Sequence, residues 1–235
     1  LVGSEMCIRD SPIIELGQKL GIDTPHTIEL YDNSNIQGAY AVAGMVVYKD
    51  GVPSKKDYRK YKIKTVEGPD DYASMKEVIY RRYYRLLMEQ KEMADLIIVD
   101  GGLGQIKVAK EVINSLNLSV HICGLSKDDK HSTAMLLDEN GNQVPIDTKS
   151  PLFFLLTRMQ DEVHRYAISF HRQVRSKSLF SSILDEVEGI GEARKKKLLN
   201  HFKSVKKMKE ASLEELEAVI PKNTAAKLYE VLHKE

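Results

Sequence analysis

Two apolar runs in this chain each end on an aspartate. Leu96, Ile97, Ile98 and Val99 lead into Asp100, and the stretch from His26 to Tyr31 leads into Asp32. A short, branched, unbroken apolar run is the mark of a strand buried on both faces. A carboxylate at the carboxyl end of such a strand lies where open α/β sheets bind ligands. Taken singly, an aspartate there is commonly a turn residue. Two strands delivering Asp32 and Asp100 to one sheet end make a metal site. Asp71 precedes a helix that should pack across the same sheet and adds a third acid, although Asp70 and Asp71 are also good helix caps. Oxygen-rich sets, with or without an imidazole, suit Mg²⁺ or Mn²⁺ better than Zn²⁺. In nucleases such ions activate water and stabilise the leaving oxygen of a phosphodiester.

Two histidines are candidates to complete the set. His164 and His171 lie seven residues apart on one long helical stretch, nearly on the same face, and either could supply a nitrogen. Arg172 and Arg175 follow and suit a nucleic-acid backbone. A second constellation sits near the carboxyl end. Gly189-Ile190-Gly191 makes a tight turn at a helix start, where backbone N–H groups cradle phosphate. Arg194, Lys195, Lys196 and Lys197 beside it add electrostatic attraction. The plainer reading is a turn followed by a solvated face. The glycines after Asp100 suggest a sharp turn close to a ligand. Asp100-Gly101-Gly102-Leu103-Gly104-Gln105 lacks the lysine and hydroxyl of a nucleotide-binding P-loop, which disfavours that reading.

The elements that must position these residues follow in order. A helix ends near Gly21, and Thr24-Pro25 separates it from a strand over Thr27–Asp32. After turn residues Asn33-Ser34-Asn35 and Gly38, a strand is expected over 39–48. Lys49-Asp50-Gly51 is a hairpin signal, and a third strand is expected over 55–64. Gly68-Pro69-Asp70-Asp71 introduces a helix over about 72–89 that carries Arg81, Arg82 and Arg85. The strand to Asp100, a helix to Ser115 and a strand over 121–126 come next. Lys127–His131 is a charged loop, and a second hairpin turns at Asp138–Gly141. Ser150-Pro151 opens a long helix with an apolar stripe through Leu152, Leu156, Met159 and Val163. The serine-rich 176–182 reads as a linker. Beyond it, short helices with a Ser212/Glu215 capping box form a small all-helical module.

Composition limits the function. The chain has 235 residues, with 42% hydrophobic and 29% charged, enough for one medium and one small domain. Net charge is +1, so a nucleic-acid surface must come from local patches. Two cysteines without metal-ligand spacing exclude a disulfide framework and point to a reducing, cytoplasmic setting. No apolar run reaches the roughly 20 residues of a membrane span. Residues 1–12 match nothing downstream. Met6–Ser11 resembles a translated sequencing adapter, so this leader is set aside.

Longer blocks are specific. IELYDNSNIQG, YRKYKIKTVEGPDDYASM, LIIVDGG, KDDKH and RMQDEVHRYAISFHRQVRSKS closely resemble the C-terminal half of the UvrC family, a subunit of the bacterial excision-repair nuclease. EGIGEARKKKLLNHFKSVKKMKEASLEEL resembles that family's tandem helix–hairpin–helix tail. The resemblance implies an α/β ribonuclease-H-like domain, a mixed sheet with flanking helices, followed by a small all-α DNA-binding domain. It divides the chain into a leader 1–22, an endonuclease domain 23–177, a linker 178–182 and a helix–hairpin–helix domain 183–235. It implies metal-dependent hydrolysis of damaged double-stranded DNA in nucleotide excision repair, the incision 5′ to a lesion, with UvrB as partner of the full-length protein. Catalytic roles fall on Asp32, Asp71, Asp100 and His164, with Asp32, Asp100 and His164 as Mg²⁺ or Mn²⁺ ligands. On its stripe with Leu156, Met159 and Val163, His164 should face the sheet end, leaving His171 to substrate contact or packing. The family's DGGKGQ lysine is Leu103 here, and its second hairpin reads Ile220-Pro221-Lys222-Asn223 without glycine. The family's N-terminal nuclease domain and UvrB-binding segment do not appear, so a fragment is expected. The competing expectation is a DNA-binding scaffold without nuclease activity of its own.

Overall fold

The computed structural model describes residues 12–34, 41–66, 68–127 and 134–233. They fall into two compact units, Leu1–His171 and Arg172–Glu235. Residues 1–11 of the expected leader, Asn35 and Gly38 of the first turn, and most of the Lys127–His131 loop lie outside the described residues.

In the first unit, residues 12–20 are helical (α1). Eight strands of the described residues form one sheet: β1 (Thr27–Ser34), β2 (Val42–Lys49), β3 (Val52–Pro53), β4 (Arg59–Lys62), β5 (Leu96–Asp100), β6 (His121–Lys127), β7 (Ala134–Leu137) and β8 (Gln143–Val144). The order is β3-β2-β1-β5-β6-β7-β8, with β4 also paired to β2. β1, β5 and β6 run parallel, and the outer strands are antiparallel. Central parallel strands must be buried on both faces, and Ile97, Ile98 and Val99 are fully buried. Helices α2 (Asp71–Met88), α3 (Leu103–Ser115) and α4 (Pro151–Asp185) complete the unit's layers.

Three local expectations change. The third strand of 55–64 is interrupted. Ser54 Oγ donates to Asp57 and folds residues 55–57 into a 3-10 turn, leaving the short β3 and β4 on either side. The cap of α2 is Asp70, whose carboxylate accepts from the Ala73 N–H at 2.9 Å, so Asp71 is the first helical residue. The serine-rich 178–182 lies inside α4, which runs unbroken to Asp185. Phe180 and Leu184, one turn apart, are buried in the second unit's core, and that burial holds the segment helical.

One close approach sets the position of α4. A Cβ on Gly44 of β2 would lie 3.0 Å from the Ala167 backbone, so glycine lets the helix sit this close to the sheet without being pushed outward. Gly44 is the register partner of Asp32. The second unit contains α5 (Glu192–Phe202), α6 (Val205–Lys209), α7 (Leu213–Glu217) and α8 (Lys222–His233) around Leu198, Met208, Leu216 and Leu228. The Ser212/Glu215 capping box is formed at α7 as expected.

Candidate metal centre

Asp32 and Asp100 reach one place because β1 and β5 are parallel neighbours. Tyr31 pairs with Val99, so the next residue of each strand lies at the same level of the sheet end. Asp100 is the last residue of β5. The following turn is pinned when the Gly101 N–H donates to the Leu125 carbonyl of β6 at 2.8 Å. Glycine is required opposite that turn as well, since a Cβ on Gly124 would stand 2.8 Å from the Gly101 carbonyl. Gly101, Gly102 and Gly104 do not occupy the left-handed region. The turn expected from the glycines therefore forms in ordinary backbone conformations, with the Tyr72 ring lying against Gly104.

α4 closes the site from the face where Gly44 admits it. His164 Nδ1 lies 3.0 Å from Asp32 Oδ2. Asp32, Asp100 and His164 each present a ligand atom, all within 4.8 Å of one another. The helix makes a second contact that sequence reasoning missed. Gln160, one turn before His164 and 4% exposed, donates from Nε2 to Asp100 Oδ1 at 2.7 Å. Its only signal in the sequence is position, one turn after Leu156 within a stripe that should be apolar. Gln160 and His164 thus hold the two strand-end carboxylates from one helix ridge.

The electrostatics favour a cation. Asp32 is 6% exposed. Burial, and then the charge of Asp100, push its carboxyl up to about 7, against the opposing pull of His164. Two carboxylates this close repel unless a positive charge joins them. The His164 side chain is 53% exposed, so the site opens to solvent on that side. Two carboxylates and one imidazole fit a divalent ion, with Mg²⁺ and Mn²⁺ the best match for the oxygen-rich set.

The other expected residues are placed as follows. Asp71 begins α2, and its carbonyl accepts from Asn33 Nδ2 at 2.8 Å. Its charge acts on Asp32, but it does not join the three-residue group. Leu103 begins α3 and lies against Gly141. His171 is 1% exposed and its Nε2 has no hydrogen-bond partner among the described residues, a placement that suits packing rather than substrate contact. Arg172 is exposed, and the side chain of Arg175 lies outside the described residues. In the second unit Gly189 takes a left-handed φ of 94°, and Gly191 caps α5. Arg194 donates to the Gly189 carbonyl, and Lys195 bonds Asp185 and Glu192, whereas Lys196 and Lys197 are exposed.

Residues 17–168 match the family model of the UvrC RNase H endonuclease domain. Residues 181–234 match that of a SAM-like helix-hairpin-helix tandem. Among solved structures, the chain resembles Endonuclease V of Ciona intestinalis in complex with an inosine-containing DNA, at 16% identity and a TM-score of 0.34. That match covers 53% of this chain and spans 58% of the Ciona chain. The catalytic domain of human Endonuclease V matches at 14% identity and a TM-score of 0.38, covering 73% of this chain and 88% of that one. Argonaute of Kluyveromyces polysporus with a guide RNA matches at 14% identity and a TM-score of 0.30, covering 57% and 19%.

Proposed function

The chain belongs to the UvrC RNase H endonuclease domain family, and from that membership we propose that it hydrolyses a DNA phosphodiester, making the incision 5′ to a lesion in nucleotide excision repair. The observation that carries this reading is the meeting of Asp32, Asp100 and His164 within 4.8 Å. These three residues would hold a divalent cation, Mg²⁺ or Mn²⁺. Bound there, it supplies a lowered pKa for attacking water and charge stabilisation at the leaving oxygen.

The chain's own residues do the rest. Gln160 fixes the Asp100 carboxylate, and His164 fixes that of Asp32. Asp71, placed at the start of α2 by Asn33, adds negative charge beside the cleft. The open flank at His164 admits substrate. In this reading residues 23–177 are the endonuclease and residues 183–235 the DNA-binding module, with Gly189, Gly191, Lys196 and Lys197 toward phosphates. Arg194 and Lys195 mainly hold the shape of that turn. No helix among the described residues is long and apolar enough to cross a membrane.

The rival reading is a DNA-binding scaffold without catalysis. Incubating the chain with a lesion-bearing duplex labelled at one 5′ end, with Mn²⁺ or with chelator, separates the two. A single cut 5′ to the lesion that needs the metal supports the nuclease. Tight binding without a cut supports the scaffold.

A further inference from the structure

The three arginines of α2 have no part in the metal centre. Side chains alternate across a strand, so Glu29 and Asp32 of β1 point to opposite faces. Asp32 meets α4, while Glu29 meets Arg82 of α2 at 2.6 Å. On this second face a cavity of about 520 Å³ lies between α2 and strands β1, β2 and β4. That volume is within the ordinary range for ligand sites, about 300–1,000 Å³.

Lys49, Arg59, Arg81, Arg82, Arg85 and Lys91 surround it. The carboxylates at its lining are Glu29, Asp57, Glu89 and Glu92. Arg81 is paired with Glu77 and Lys49 with Asp57, and the cations still outnumber the carboxylates in a chain whose net charge is only +1. The floor is rigid: Glu29 is buried, accepts from the Tyr31 hydroxyl at 2.5 Å and takes both Nε and Nη2 of Arg82. Arg59 donates to the Lys56 and Tyr58 carbonyls, and among the described residues no ion pair holds it. The rim is exchangeable. Arg85 and Lys91 share one carboxylate, Glu89, and their side chains are 72% and 63% exposed. Exposed pairs of this kind are worth little, and an incoming oxyanion can replace them. Arginine forks match phosphate oxygens in pairs.

We propose that this cavity is a second phosphate-binding site, on the sheet face opposite the metal centre, and that it takes the phosphodiester backbone of a DNA strand. The shared chemistry is the phosphate oxyanion. Only the choice of DNA over a free oligophosphate rests on the proposed nuclease function.

The test compares the full chain with the double variant Arg85→Gln/Lys91→Gln, both positions outside the metal centre. A fluorescent duplex is bound in chelator, to prevent cleavage, over a series of salt concentrations. Each lost phosphate contact lowers the slope of log affinity against log salt by about 0.9. The variant is therefore expected to lose up to about 1.8 of that slope while keeping the wild-type melting temperature. A slope equal to wild type overturns the strand assignment. A parallel arm adds pyrophosphate to the unliganded proteins. If it raises the melting temperature of the wild type but not of the variant, and the DNA slopes agree, the cavity takes free oligophosphate and the DNA assignment is wrong. If the wild type binds no duplex at all, the nuclease reading fails as well, which separates that failure from this one.

Discussion

Asp32, Asp100, His164 and Gln160 would divide the work at the proposed metal centre. Asp32 and Asp100 are like charges at close range, so removing one should relax the metal-free protein. Asp32→Asn is expected to raise the melting temperature in chelator and to abolish both the Mn²⁺-induced rise and DNA cleavage. Unchanged duplex affinity in the same variant, read by anisotropy, separates this role from a structural one. Gln160 orients a ligand without carrying charge. Outer partners of metal ligands typically contribute about 10–100-fold in affinity, so Gln160→Met should weaken Mn²⁺ binding by that factor in calorimetry, with folding retained. Binding at the wild-type level would remove Gln160 from the site. The two histidines should split cleanly. His164→Ala should slow the chemical step at saturating DNA, whereas His171→Ala, cut from a buried position, should act through stability. The aspartates were legible because each ends an apolar run. Gln160 was not, because a glutamine on a helix carries no chemical signature until the facing strand is known.

At the scale of elements, α4 and α2 decide where these side chains stand. Gly44 is the contact that admits α4 beside Asp32. Gly44→Val should push the helix outward and lengthen the His164–Asp32 contact. Overpacking of this kind costs about 1–3 kcal/mol, measurable in urea, and the Mn²⁺-induced stabilisation should shrink with it. α2 anchors the segment after β4 through Glu77. Burial opposes ionisation there, but the Thr65 and Lys64 N–H groups, with the Thr65 hydroxyl and Arg81, hold the carboxyl below its usual range. A carboxyl lowered on folding contributes stability above its unfolded pKa and loses it as pH falls through the folded value. Glu77→Gln should therefore lower the melting temperature at neutral pH and flatten its fall in acid. An acid limb identical to wild type would contradict the anchoring role. Alternation and apolar runs revealed β1, β2, β5 and β6 in the sequence. The Ser54–Asp57 turn that splits the third strand depends on two small polar side chains, and periodicity does not register it. Serine content points to a linker at 176–182, whereas the helix there follows from Phe180 and Leu184, whose burial depends on partners far along the chain.

The whole molecule has two hydrophobic cores with no residue in common among those described. Truncation after Lys177 should leave the first unit with its own cooperative melting transition and its Mn²⁺ response. Duplex affinity and its salt dependence should fall, because the exposed Lys196 and Lys197 are lost. Loss of the cooperative transition would refute the division. The order of elements, strands and then alternating helix and strand, was legible in the sequence, and the family resemblance supplied the architecture. The cation-lined cavity opposite the proposed metal centre was hidden, because Glu29, Arg59 and Arg82 come to line one cavity only when the sheet folds under α2. The central claim is that Asp32, Asp100 and His164 hold one divalent cation. Anomalous scattering from Mn²⁺-soaked crystals tests it most directly. The account predicts a peak bonded to a carboxylate oxygen of Asp32, one of Asp100 and a nitrogen of His164, absent in Asp100→Asn. Ordered crystals with no peak there, or with the Mn²⁺ bound elsewhere, would contradict it.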